Sequence, residues 1–173
     1  MPSKISLQEA AEKADAIMFD TVSSVRPELN WVHDAATESG CDGYTIDGKA
    51  TAQATRRAVV MTVVSEARRG SLLGVVERYW ESRGFEITDT NPSREFPAVF
   101  ARTPEDFRMS VVVGEKGQFY FDIVTPCFIA SKVQDPKTKA NGTPFEGSVV
   151  PLPSVRSPFW SSDTPLPSGS STP

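Results

Sequence analysis

Arg108-Met-Ser-Val-Val-Val-Gly-Glu-Lys-Gly-Gln-Phe-Tyr-Phe-Asp-Ile-Val-Thr125 decides the fold. Apolar side chains alternate on both sides of Gly114-Glu-Lys-Gly117, and a period of two marks strands with one buried face. The short connection between Val113 and Gln118 predicts a hairpin. It sets Met109, Val111 and Val113 against Phe119, Phe121 and Ile123. Upstream, Phe85–Thr90 and Ala98–Thr103 have the same character and are divided by Asn91-Pro92, while Thr103-Pro104 separates them from the hairpin. The four runs read as an antiparallel meander.

Before the meander the pattern is mixed. Lys49–Ser65 ends in Ala58-Val-Val-Met-Thr-Val-Val64, β-branched and apolar on both faces, and reads as a central strand. Asn30–Ala36 reads as a further strand. Between them, Glu38-Ser-Gly-Cys-Asp-Gly43 is rich in turn formers and is expected to be a turn. Two stretches are helical. Leu7, Ala10, Ala11, Ala14, Met18 and Val22 recur at steps of three and four, Ser6 with Glu9 makes a capping box, and Arg26-Pro27 ends the run, which predicts a helix over Ser6–Val25. The second helix is expected over Ser71–Arg83, with Leu72, Leu73, Val76, Tyr79 and Trp80 on one side and Gly84 as its C-terminal cap. The fold class that follows is α+β, two helices packed on one face of a mainly antiparallel sheet.

Domain organisation follows from proline. Residues 135–173 hold eight of the 14 prolines among Gly, Ser and Thr, a composition that cannot build a core. The expectation is an α+β domain over 1–134 and a disordered Pro-rich C-terminal tail over 135–173, so that a chain ended after Gln134 melts like the full chain. Phe145, Phe159 and Trp160 are unusual for such a tail. Phe159 and Trp160, in Ser157-Pro-Phe-Trp160, are candidate docking anchors for a groove on this domain or on a partner, and Pro151-Leu-Pro153 with Arg156 is similar to a polyproline ligand.

With 18 basic and 22 acidic residues the net charge is −4, which argues against non-specific attraction to nucleic acid or an anionic membrane. The charge is uneven: Met1–Asp47 carries three basic and nine acidic residues, Gly48–Gln134 twelve and ten. No run approaches the roughly 20 apolar residues of a spanning helix, and Glu9, Glu12, Lys13 and Asp15 interrupt Met1–Val25 as a secretory leader.

The familiar chemistries find little support. His33 is the only histidine and no nucleophile elbow accompanies it, so it reads as a strand histidine and no catalytic residue is assigned. One His and two distant Cys do not make a zinc set, and Glu38, Asp42 and Asp47 lack calcium-loop spacing, so neither metal nor cofactor is expected. Gly70-Ser-Leu-Leu-Gly74 could face an anion at a helix start, but it lacks the Lys-Ser/Thr of a phosphate loop. Arg56, Arg57, Arg68 and Arg69 could line a basic edge. Glu9 with Glu12, and Glu105-Asp106, read as solvated pairs, and Asn141-Gly-Thr143 matches a glycosylation acceptor. Cys41 and Cys127 both sit at element ends outside apolar runs, which fits either a disulfide or two free thiols.

Several of these segments form a pattern. The acidic first helix, Glu38-Ser-Gly-Cys-Asp-Gly43, Tyr79-Trp-Glu-Ser-Arg-Gly-Phe85, Arg102-Thr-Pro-Glu-Asp-Phe-Arg-Met-Ser110 and Thr125-Pro-Cys-Phe128 together resemble small secreted proteins and lipoproteins of uncharacterised function from high-GC actinobacteria, over Ser6–Cys127. The resemblance implies that Cys41 and Cys127 form a structural bridge, and a bridge implies an oxidising compartment. The sequence departs from the lipoprotein form in showing neither a lipid-attachment cysteine near its start nor a signal segment. The functional expectation is a non-catalytic, extracellular or cell-envelope binding domain acting on a protein partner through its sheet face or tail. The alternatives are a cytoplasmic interaction or immunity-type protein with free thiols, and an enzyme working through carboxylates or arginines.

Overall fold

The computed structural model describes residues 5–166. Among them, two α-helices lie on one face of an eight-stranded sheet whose named strand pairs are all antiparallel. The elements are α1 (Leu7–Ser23), β1 (Trp31–His33), β2 (Thr37–Ile46), β3 (Lys49–Val60), α2 (Glu66–Ser82), β4 (Glu86–Asn91), β5 (Ala98–Arg102), β6 (Arg108–Val113), β7 (Phe119–Val124) and β8 (Phe128–Ile129).

Strand β3 is the axis. One edge takes β2 and then β1, and the other takes β8 and then β7, after which β6, β5 and β4 continue the sheet. The deciding hairpin has the expected register, with Met109 opposite Ile123, Val111 opposite Phe121 and Val113 opposite Phe119. All six are buried beneath the helices. Helix α1 begins as its capping box requires, Ser6 accepting from the Glu9 N–H at 3.1 Å. Its small residues Ala10, Ala11 and Ala14 are wholly buried, as are Ala54 and Ala58 of β3, so helix and strand approach closely. Trp80 of α2 crosses to α1, where its indole N–H donates to Thr21 Oγ1 at 2.9 Å. After α2, Phe85 N–H returns to the Trp80 carbonyl and Gly84 N–H to that of Glu81, with Gly84 at φ +81°.

Several boundaries differ from expectation: Asn30–Ala36 shortens to Trp31–His33, and a short strand, β8, follows Cys127. Glu38–Gly43 is not a turn but part of β2, a strand exposed along almost its whole length and bulged between Gly40 and Thr45. The chain reverses later, at Asp47-Gly48, where both φ angles are positive (52° and 72°), as a two-residue hairpin loop demands. The central strand ends at Val60, and α2 starts at Glu66 rather than Ser71, so Gly70 and Gly74 lie inside the helix and are no anion loop.

The Pro-rich segment is the largest difference. Residues 135–166 form no helix or strand, only an isolated bridge from Val155 to Thr62, yet they are seated on the domain. Phe145 and Val150 pack on Val32, Val59 and Met61, on the sheet face opposite the helices. Trp160 is 0% exposed and belongs to the main core, its indole N–H donating to the Pro27 carbonyl at 2.8 Å. Proline content removes ladder bonds, but it does not stop a few aromatic side chains from anchoring an irregular strap. The end of the expected tail, 167–173, lies outside the described residues.

Candidate functional site

Cys41 leaves the ladder at the β2 bulge, and Cys127 stands between β7 and β8 on the other side of β3. They form a disulfide, with Cα atoms 6.4 Å apart, that reaches across the central strand.

The remaining chemistry gathers in two places. The first is a groove between α1 and the sheet, filled by the start of the strap. In β3 every second side chain from Ala52 to Val60 points under the helices, and Arg56 falls in that phase between Ala54 and Ala58, 2% exposed. One guanidinium nitrogen donates to the Gln134 carbonyl at 2.7 Å and a second to the Thr55 carbonyl at 3.4 Å, while its Nε is buried without a partner. Burial pushes the Arg56 pKa below its ordinary value, opposed by the more distant carboxylates of Asp15, Glu38 and Asp135. Asp15, 4% exposed on the apolar face of α1, accepts from Thr138 twice, from its N–H at 3.2 Å and its hydroxyl at 2.8 Å. His33 of β1 donates from Nε2 to the Thr138 carbonyl at 2.7 Å. That carbonyl can only accept, so Nε2 carries a proton, and the buried Nδ1 has no partner.

The second place is a cleft of about 430 Å³ between α2 and the β4–β5 connection. Its floor is the helix surface at Ala67, Gly70, Leu73 and Gly74, its opposite wall Pro92, Pro97, Ala98 and Val99, and Glu66, Glu77 and Arg94 stand among its polar lining. A β-carbon on Gly70 would meet open space and one on Gly74 only the Arg78 side chain, so the missing side chains make the hollow. Each glycine costs about 1 kcal/mol against alanine in a helix interior.

The four arginines do not make one basic edge. Arg56 faces inward. Arg57 faces the opposite side of the sheet, in a two-bond pair with Asp122 (2.6 and 2.7 Å) above the Tyr120 ring, and the Asp122 hydrogen bond raises its pKa above the ordinary arginine value. Arg68 is buried against the Phe159 ring and the Thr164 carbonyl, and Arg69 donates to the Glu95 carbonyl. Of the two proposed anchors, Trp160 is enclosed by its own chain and Phe159 is half-buried edge-on to it. The Asn141 amide is engaged with Glu28 and the Leu29 carbonyl. Asp15, Thr138 and Gln8, whose Oε1 accepts from the Gln134 N–H, belong to no sequence motif. The available signal was phase: Asp15 sits three residues before Met18 and four after Ala11, on the buried stripe.

These features define a disulfide-linked α+β domain that carries a filled groove beside α1 and an open cleft beside α2. No family model and no curated protein matches the chain. Among solved structures it is similar to a DUF4853 family protein from Actinomyces odontolyticus, at 12% identity and a TM-score of 0.48, over 83% of this chain and 80% of that one.

Proposed function

We propose that the chain is a non-catalytic binding domain of an extracellular or cell-envelope compartment, and that the cleft between α2 and β4–β5 is its binding surface. The observation that carries the binding reading is the glycine-floored cleft, because two glycines inside a helix sacrifice stability and leave a concave, mainly apolar surface. The compartment reading is supported by the disulfide. A non-catalytic role is supported by how the ionisable side chains are used: His33 and Asp15 grip Thr138, and Arg57 and Asp122 grip each other.

Gly70→Ala is expected to raise stability by about 0.5–1 kcal/mol, read as a higher melting temperature. Gly70→Leu should fill the cleft and abolish saturable binding of 8-anilinonaphthalene-1-sulfonate, an apolar fluorescent reporter. Undiminished dye binding by Gly70→Leu would count against the cleft. The compartment is tested by a thiol titration of protein taken from its native cells and denatured without reductant. No titratable thiol is expected, and two would overturn the assignment.

A further inference from the structure

The contacts that seat the strap at α1 have the form of a peptide-reading site. At Gln134, the N–H donates to Gln8 Oε1 at 2.7 Å and the carbonyl accepts from Arg56 at 2.7 Å. At Thr138, the N–H donates to Asp15 at 3.2 Å and the carbonyl accepts from His33 Nε2 at 2.7 Å. Each residue's two main-chain groups are therefore held by one side chain from α1 and one from the sheet. Gln8 and Asp15 lie two helical turns apart and so share a face of α1.

Side-chain selectivity is added further along. The Thr138 hydroxyl donates to Asp15, and Asn141 Oδ1 accepts from the Trp31 N–H at 2.9 Å while its amide nitrogen donates to the Leu29 carbonyl. Gly142 N–H donates to the Trp31 carbonyl, and a β-carbon there would come within 2.7 Å of that oxygen and of a Val32 methyl, so only glycine fits.

A purely structural joint would be expected to use apolar side chains, because burying charges costs more than packing hydrocarbon in their place. Here a carboxylate and a guanidinium are both buried, and the shortest hydrogen bond of each runs to the main chain or hydroxyl of the strap. Unused capacity remains at Arg56 Nε and His33 Nδ1. We propose that the α1–β1 groove is a binding site for an extended peptide carrying Thr with Asn-Gly three and four residues later, and that residues 134–142 are its occupant in cis, which such a peptide from another chain replaces.

The probe is a fluorescein-labelled synthetic peptide of residues 134–142, titrated by anisotropy into the full-length chain. Thr138→Ala in the receptor removes the hydroxyl bond from the cis occupant and leaves the groove side chains intact. Asn141→Ala is a second weakened receptor, and near-ultraviolet circular dichroism of the buried tryptophans checks that each is folded. Both variants should bind the peptide saturably and about tenfold or more tightly than the wild-type chain does, the factor expected for one hydrogen bond to a charged group. A peptide bearing Gly142→Ala should bind at least tenfold more weakly. Absence of saturable binding to either folded variant, or equal binding of the Gly142→Ala peptide, overturns the proposal.

Discussion

Trp160→Ala is expected to lower stability by about 3–5 kcal/mol, the range for emptying a large aromatic site in a packed core. For a domain of this size the melting temperature should fall on the order of 10 °C. Two losses combine: the indole is wholly buried, and its N–H bond to the Pro27 carbonyl fixes the segment that leads into β1. The neighbouring strap is tied to the same place, since Ser65 N–H donates to the Trp160 carbonyl just before α2 and Arg68 of α2 holds the Thr164 carbonyl. Ending the chain after Gln134 should be more severe than the point substitution. It uncovers Val32, Val59 and Met61 as well, and strips Asp15 of both Thr138 hydrogen bonds. Thermal melts of the two variants beside the full chain check this order. A truncated chain with an unchanged melting temperature would mean that the strap does not stabilise the domain.

How much was legible in the sequence depended on whether burial left a period behind. The β6–β7 hairpin was readable because Met109 to Val113 and Phe119 to Ile123 each bury every second side chain. Helix α1 was readable from both its cap and its stripe. Strand β2 was not, since it is exposed on both faces and draws its order from the β3 ladder, so no apolar alternation marks Thr37–Ile46. The Asp47-Gly48 turn was the signal for it and was outweighed by the Gly and Asp content just upstream. The start of α2 lies earlier than expected because Gly70-Ser-Leu-Leu-Gly74 has the composition of a loop at a helix start, whereas a helical glycine weakens a helix without ending it. The groove was hidden for a different reason. Arg56 reads as part of a basic edge and Asp15 as a charge that interrupts an apolar run, whereas the strap, more than 70 residues beyond Arg56, supplies the carbonyl, N–H and hydroxyl that make their burial tolerable. Trp160 was noticed as an oddity, but proline content concealed that its pocket lies in its own domain.

Replacing Cys41 and Cys127 together by serine should cost about 2–5 kcal/mol, a large fraction of the roughly 5–15 kcal/mol that holds a typical domain folded. The bond spans a sequence separation of 86, for which loop-closure entropy of the unfolded chain gives about 4–5 kcal/mol as an upper value. The loss should not be uniform. Strand β2 pairs with β3, is exposed along most of its length, and is covalently tied to the β7–β8 connection through Cys41. Amide exchange should therefore accelerate first across Thr37–Ile46 and at Phe128–Ile129, while Met109–Val113 and Phe119–Ile123, buried under both helices, keep most of their protection. Wild-type protein treated with a thiol reductant should reproduce the double variant in both melting temperature and exchange pattern. If reduction leaves both unchanged, the bridge adds nothing to the stability of the fold.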